Sequence, residues 1–165
     1  PRENLVLPEG GFAKLMQAFD IERCGNATMS LGIAWGALEA AKKYSQERVA
    51  FGKPICEFQA IQLLLADMAM RVEAARLLIY RAVTNAGLGV PSVYESSVAK
   101  CFSNEMAKEV TDMAMQVFGG YGYSKEYPIE RMLRDSRGWP LAGGTVQMQR
   151  INIAGAMLGR RFNQR

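Results

Sequence analysis

Two short segments hold the residue types that could do chemistry. Asp20-Ile21-Glu22-Arg23 offers two acids beside a permanent cation, and Leu141-Ala142-Gly143-Gly144-Thr145-Val146-Gln147-Met148-Gln149-Arg150 reads as a glycine turn opening into a helix. The chain contains no histidine, which removes the commonest general base and every Ser-His or Cys-His pair. Acid–base work then falls to carboxylates, lysine or tyrosine. The second segment contains no carboxylate, so a base serving that loop must come from another part of the chain, and Glu22 is the candidate. The plainer reading of Glu22, a solvated helix carboxylate, stands beside it.

Bulk properties bound the rest. A chain of 165 residues, 49% hydrophobic, can bury one core, and a single domain over residues 1–165 is expected. Cys24, Cys56 and Cys101 are odd in number, far apart and set among apolar residues, which argues for buried thiols and against a disulfide framework or metal site. The net charge of +4 suits a phosphate-bearing ligand and equally a solvated basic surface. No lysine-rich or aromatic-interleaved basic tract points to nucleic acid. No apolar run reaches the roughly 18 residues of a membrane span, and no basic-then-apolar leader opens the chain. A bacterial cytoplasm or mitochondrial matrix is the expected location.

The elements that must position these segments are helical. A first helix is expected from Gly11 to Glu47, with an irregularity near Asp20. Its small residues, Gly25 to Ala27 and then Gly32, Ala34, Gly36, Ala37, Ala40 and Ala41, let backbones approach closely and put it at the centre of the bundle. Gly52 and Pro54 break it. A second helix runs from Phe58 to Ala86, with Ile61, Leu64, Leu65, Met68, Val72, Ala75, Leu78, Ile79 and Ala82 on one face. A third runs from Ser92 to Val117 with Val98, Phe102, Met106, Val110, Met113 and Val117 in register. A short helix over 129–135 and a last one from Thr145, a good cap, to Leu158 complete an all-α, antiparallel four-helix bundle. No alternating pattern predicts a sheet.

Four segments then fall in order: Asp20 to Arg23; Arg48-Val49-Ala50-Phe51-Gly52 with Phe58-Gln59-Ala60-Ile61-Gln62; Gln116-Val117-Phe118-Gly119-Gly120-Tyr121-Gly122-Tyr123; and Glu126-Tyr127-Pro128 through Arg134-Asp135 to Gly144-Thr145 and Gln149-Arg150. Each phrase is weak alone. In this order and spacing the chain resembles, over nearly its whole length, the carboxy-terminal helical domain of the acyl-CoA dehydrogenases. The opening at Pro1 resembles the seam after that family's middle β-domain. The resemblance therefore implies a piece of a longer flavoprotein whose amino-terminal helical and middle β domains lie outside this chain. The isolated domain is then expected to be inactive.

The resemblance implies FAD-dependent α,β-desaturation of an acyl-CoA thioester. In most of the family the base stands where this chain has Gly143. An isovaleryl-CoA and long-chain branch instead carries it on the first long helix, at the position matched by Glu22, so Glu22 is the implied catalytic base. Asp20, Arg23, Gly143 and Gly144 match substrate-side positions. Arg48, Phe51, Phe58, Gln59, Gln116, Gly119, Gly120, Thr145 and Gln147 match flavin-contacting positions, Arg48 facing the diphosphate with a fork that suits phosphate oxygens. A homotetramer or dimer, with electron-transferring flavoprotein as acceptor, is implied as well. Small Ala142 and Gly143 suggest room for a branched acyl chain. The same frame also accommodates carrier-protein thioesters, enoyl reduction and flavin oxidase or monooxygenase chemistry, and a plain helical assembly domain remains the non-catalytic alternative.

Overall fold

The computed structural model describes residues 2–5, 7, 10–160 and 162. The expected seam around Pro1 and the end of the chain fall partly outside them. Among the described residues five helices form the fold: α1, Phe12–Glu47; α2, Gln59–Ala86; α3, Val93–Phe118; α4, Ile129–Gly138; and α5, Val146–Met157. Three 3-10 turns, Arg2–Asn4, Ile55–Glu57 and Gly119–Tyr123, sit between or before them.

Asp20 does not interrupt α1, which runs unbroken for 36 residues, because its carboxylate is satisfied by side chains and leaves the helical ladder alone. The connection after α1 is also more ordered than its breakers suggest. Val49–Ala50 (β1) and Lys53–Pro54 (β2) pair antiparallel around Phe51-Gly52. This two-residue ladder is too short to leave an alternating pattern in the sequence.

α1, α2 and α3 run up, down and up. Arg71 of α2 reaches Glu109 and Asn85 reaches Glu95 in α3, an antiparallel order, whereas Asp20 and Asn26 of α1 meet Ser96 and Asn104, a parallel one. The expected centre of the bundle was α1; the hub is α3, which packs against α1, α2, α4 and α5. The small residues of α1 serve the predicted purpose at that contact, where Ala34, Ala37 and Ala41 meet Met106, Ala107, Val110 and Ala114 with Met68, Val72 and Ala75 from α2.

The predicted face of α2 is the buried one, with Met68, Val72, Ala75, Ile79 and Ala82 interior. That of α3 is only partly so. Met106, Val110 and Val117 are buried, but Phe102 is 38% exposed while Ser96, Ser97, Lys100, Ser103, Asn104 and Thr111 lie inside. A helix enclosed on several sides buries a polar stripe as well as an apolar one, and periodicity alone assigns such a stripe to solvent. Ser92 caps α3 by accepting from the Glu95 N–H, and Thr145 caps α5 by accepting from Met148 N–H. Cys24 is buried, Cys56 and Cys101 half-buried, and all three are free. Among the described residues no helix is long and apolar enough to cross a membrane.

Candidate active site

The site is built where the first third of α1 passes the loop before α5. Gly143 and Gly144 have φ of +59° and +88°, left-handed values that cost glycine little and other residues much. The turn they make lays the backbone of 142–144 against α1. A side chain at 143 would start 2.5 Å from both carboxylate oxygens of Glu22, well inside van der Waals contact. The Glu22 carboxylate thus occupies the space that a residue-143 side chain would enter, although the two positions are 121 apart in sequence. An acid on the loop and an acid on the helix are sterically exclusive here.

This packing corrects the expectation of extra acyl space. The volume left by Gly143 is filled by Glu22. Glu22 is exposed on its other side, so its carboxylate faces both the loop and an open surface.

Arg23, next along the helix, bonds to Asp20, and Asp20 also accepts from the Ser96 hydroxyl at 2.9 Å. Asp20 is only 3% exposed. Both bonds fall on Oδ1 and tie Asp20 to Arg23 and to α3. Burial, with the Asp20 charge adding to it, raises the pKa of the neighbouring Cys24 thiol.

Four polar residues hold the loop, and of these only Gln149 stands in a segment singled out from the sequence. Lys100, fully buried in α3, donates to the carbonyls of Ala142, Gly143 and Gly144 at 2.5, 2.7 and 2.8 Å. Three acceptors satisfy an ammonium group's three donors. Asn26 of α1 donates to the Ala142 carbonyl at 3.4 Å and accepts from Asn104 at 2.9 Å. Buried Gln149 donates to the Gly144 carbonyl at 3.0 Å. Burial lowers the Lys100 pKa, and the Glu22 charge opposes that shift. The available signal was the polar repeat Ser96, Lys100, Ser103, Asn104 on a helix that also carries a full apolar face.

A second group of expected residues gathers at the far end of α1. Arg48, Gln116, Gly119 and Gly120 line a cleft of about 570 Å³ with Tyr44, Ile55 and Tyr121. Tyr44 stacks on Phe118 with ring centroids 4.1 Å apart, and Tyr121 stacks on Tyr127, giving the cleft a rigid aromatic floor. The Arg48 guanidinium lies over the Tyr121 ring at 5.5 Å, and among the described residues no carboxylate pairs with it. Phe51 is 97% exposed and has φ +51°, an uncommon conformation for a bulky side chain; the Phe58 ring meets it edge-on at 6.1 Å. Gln59 opens α2 beside them. Such a free guanidinium beside glycines and an exposed aromatic fits a phosphate-bearing, ring-bearing cofactor. Thr145 and Gln147 belong to the other end, beside Gly143.

A further cleft of about 620 Å³, between α3 and α4, is lined mostly by charged residues, including Glu105, Lys108, Glu109 and Arg134. Those four pair with neighbours. Asp112, Leu133, Ser136 and Arg137 complete its lining.

Known proteins match this arrangement closely. Residues 9–158 match the family described as acyl-CoA dehydrogenase, C-terminal domain. A 3-sulfinopropanoyl-CoA desulfinase of Paraburkholderia xenovorans is 45% identical, over 95% of this chain and 40% of its own length. Butyryl-CoA dehydrogenase of Megasphaera elsdenii superimposes with a TM-score of 0.87 at 44% identity, over 90% of this chain and 39% of that one. A chain from the structural study of the electron transferring flavoprotein of Acidaminococcus fermentans superimposes with a TM-score of 0.91 at 46% identity, over 96% and 42%. The present chain thus spans about two-fifths of the length of these relatives. By its matched residues, helix order and loop geometry, the chain belongs to the acyl-CoA dehydrogenase family and has the fold of that family's carboxy-terminal helical domain.

Proposed function

We propose that this domain supplies the base and part of the FAD site of an enzyme that desaturates an acyl-CoA thioester between its α- and β-carbons. The observation carrying this reading is the Glu22 carboxylate in the space a residue-143 side chain would enter. A carboxylate held there needs no histidine partner. It accepts the α-proton directly, while the electron pair of that C–H bond becomes the new double bond and the β-hydrogen departs as hydride. When bound, FAD supplies the acceptor for that hydride.

The chain's own residues do the positioning. Arg23, pinned by Asp20, keeps a fixed cation one residue from the base, and Gly143 and Gly144 let the loop approach the thioester without a side chain intervening. Thr145 and Gln147, in the first turn of α5, offer polar contacts to the flavin, as the unpaired N–H groups of a helix start do. Arg48, Phe51, Phe58, Gln59, Gln116, Gly119 and Gly120 form the other flavin-facing group.

The two groups lie far apart. Helix α1 continues from Glu22 to Glu47, about 38 Å at roughly 1.5 Å per residue, farther than one dinucleotide reaches. Each flavin would therefore be shared between copies, which supports a homotetramer or dimer. Electron-transferring flavoprotein is the proposed acceptor.

The test is Glu22→Gln in the complete flavoprotein. Flavin content is expected to match the parent, while bleaching of the flavin by acyl-CoA slows at least ~100-fold. Bleaching at the parent rate would contradict the assignment. The desulfinase relative motivates a second reading, removal of a sulfinate group from an acyl-CoA. Sulfite release from 3-sulfinopropanoyl-CoA without net flavin reduction would favour it over desaturation.

A further inference from the structure

Among the described residues Lys100 is the largest fully buried side chain, and it spends its charge on three consecutive peptide carbonyls. Every peptide bond among the described residues is trans, so within each unit the C=O and the N–H point in opposite directions. Gathering the carbonyls of 142, 143 and 144 on one ammonium therefore turns the N–H groups of Gly143, Gly144 and Thr145 away from α3. Among the described residues none of these three N–H groups has an acceptor. They form a row of free donors on the face of the loop opposite Lys100, with the Glu22 carboxylate against the Gly143 end.

We infer that Lys100 is a positioning residue: it orients and polarises this row of N–H donors toward the thioester oxygen, which becomes negative as Glu22 removes the α-proton. This rests on the reading of Glu22 as the base. Two physical effects combine. A cation on the carbonyl side of a peptide draws electron density from its N–H, making it a stronger donor, as in other hydrogen-bond chains. Donors fixed before reaction cost no reorganisation when charge develops, and single donors of this kind are worth factors of roughly 10² to 10³ in rate when they contact the oxyanion directly.

A merely structural alternative is that Lys100 only fills space and ties the loop down. Its isostere Lys100→Met would then be nearly silent in turnover. Two neutral tethers, Asn26 to Ala142 and Gln149 to Gly144, would still hold the loop in that variant.

The test uses the complete flavoprotein with Lys100→Met, Lys100→Ala and Glu22→Gln, assayed for flavin content, kcat and KM on one saturated acyl-CoA. Lys100→Met is expected to keep its flavin and to lose roughly 10- to 100-fold in kcat, with KM changed less than threefold. In Lys100→Ala, propylammonium should occupy the vacated channel and restore at least tenfold of the lost kcat. An apolar amine-free analogue such as butane should restore none. If Lys100→Met does not fold, the Lys100→Ala rescue carries the test. A kcat within twofold of the parent in Lys100→Met, or absence of amine rescue in a folded Lys100→Ala, would overturn the role of Lys100 while leaving an inactive Glu22→Gln in agreement with the base. Full activity in Glu22→Gln would instead overturn the base assignment itself.

Discussion

The packing of Glu22 against Gly143 makes one position on the helix and one on the loop interdependent. Gly143→Ala would place a methyl 2.5 Å from the carboxylate at a φ of +59°, so it combines a contact with backbone strain. A loss of about 1–3 kcal/mol in stability is expected by urea unfolding, with kcat reduced at least tenfold. Combining it with Glu22→Ala should recover the contact part and leave only the strain, a coupling that a double-mutant cycle would read; strictly additive losses would contradict the contact. Thiol chemistry offers an independent check. Burial raises the pKa of both Cys24 and Cys101, and the thiolate is the nucleophile. Their alkylation by iodoacetamide is therefore expected to be slower at pH 7.5 than that of an ordinary exposed thiol and to accelerate as the pH rises. Rapid labelling of Cys24 at neutral pH would contradict its placement. At this scale the meeting of Glu22 with Gly143 was readable in the sequence because both sit inside recognisable phrases. Lys100 and Asn104 were not, since a buried lysine announces itself only once the three carbonyls it serves are adjacent in space.

Helices α1 and α3 hold the site between them, and their contact tolerates little extra volume. Ala107 has no exposed surface and packs with Ala34, Ala37 and Ala41. Ala107→Leu should cost about 1–3 kcal/mol by overpacking, visible as a lower urea midpoint with an unchanged slope. A neutral result would mean the helices are farther apart than described. Helix existence and extent were legible from apolar spacing, the cap at Thr145 and the breakers at Gly52 and Pro54. Two features were not. The hub role of α3 depends on how many neighbours enclose it, which a one-dimensional period cannot express. The β1–β2 hairpin, at two residues a strand, is set by its pairing around Phe51-Gly52 rather than by any run of strand-forming residues.

For the whole molecule, the two flavin-facing groups at opposite ends of α1 make a second copy part of the proposed site. Leu63, Met70 and Leu77 are all more than half exposed on α2 at seven-residue spacing, an apolar stripe on one helix face. Placing Lys at Met70 and Leu77 in the complete flavoprotein is expected to lower its mass in sedimentation equilibrium and, in parallel, its flavin content. An unchanged mass would remove α2 from the interface. The central claim remains that Glu22 takes the α-proton, and solvent exchange reads that step without needing the hydride to move. In D₂O, the complete protein should exchange the α-hydrogen of a bound acyl-CoA analogue that cannot lose a β-hydride, followed by proton NMR. The account predicts that Glu22→Gln slows this exchange at least ~100-fold with the flavin still bound; exchange at the parent rate would contradict it.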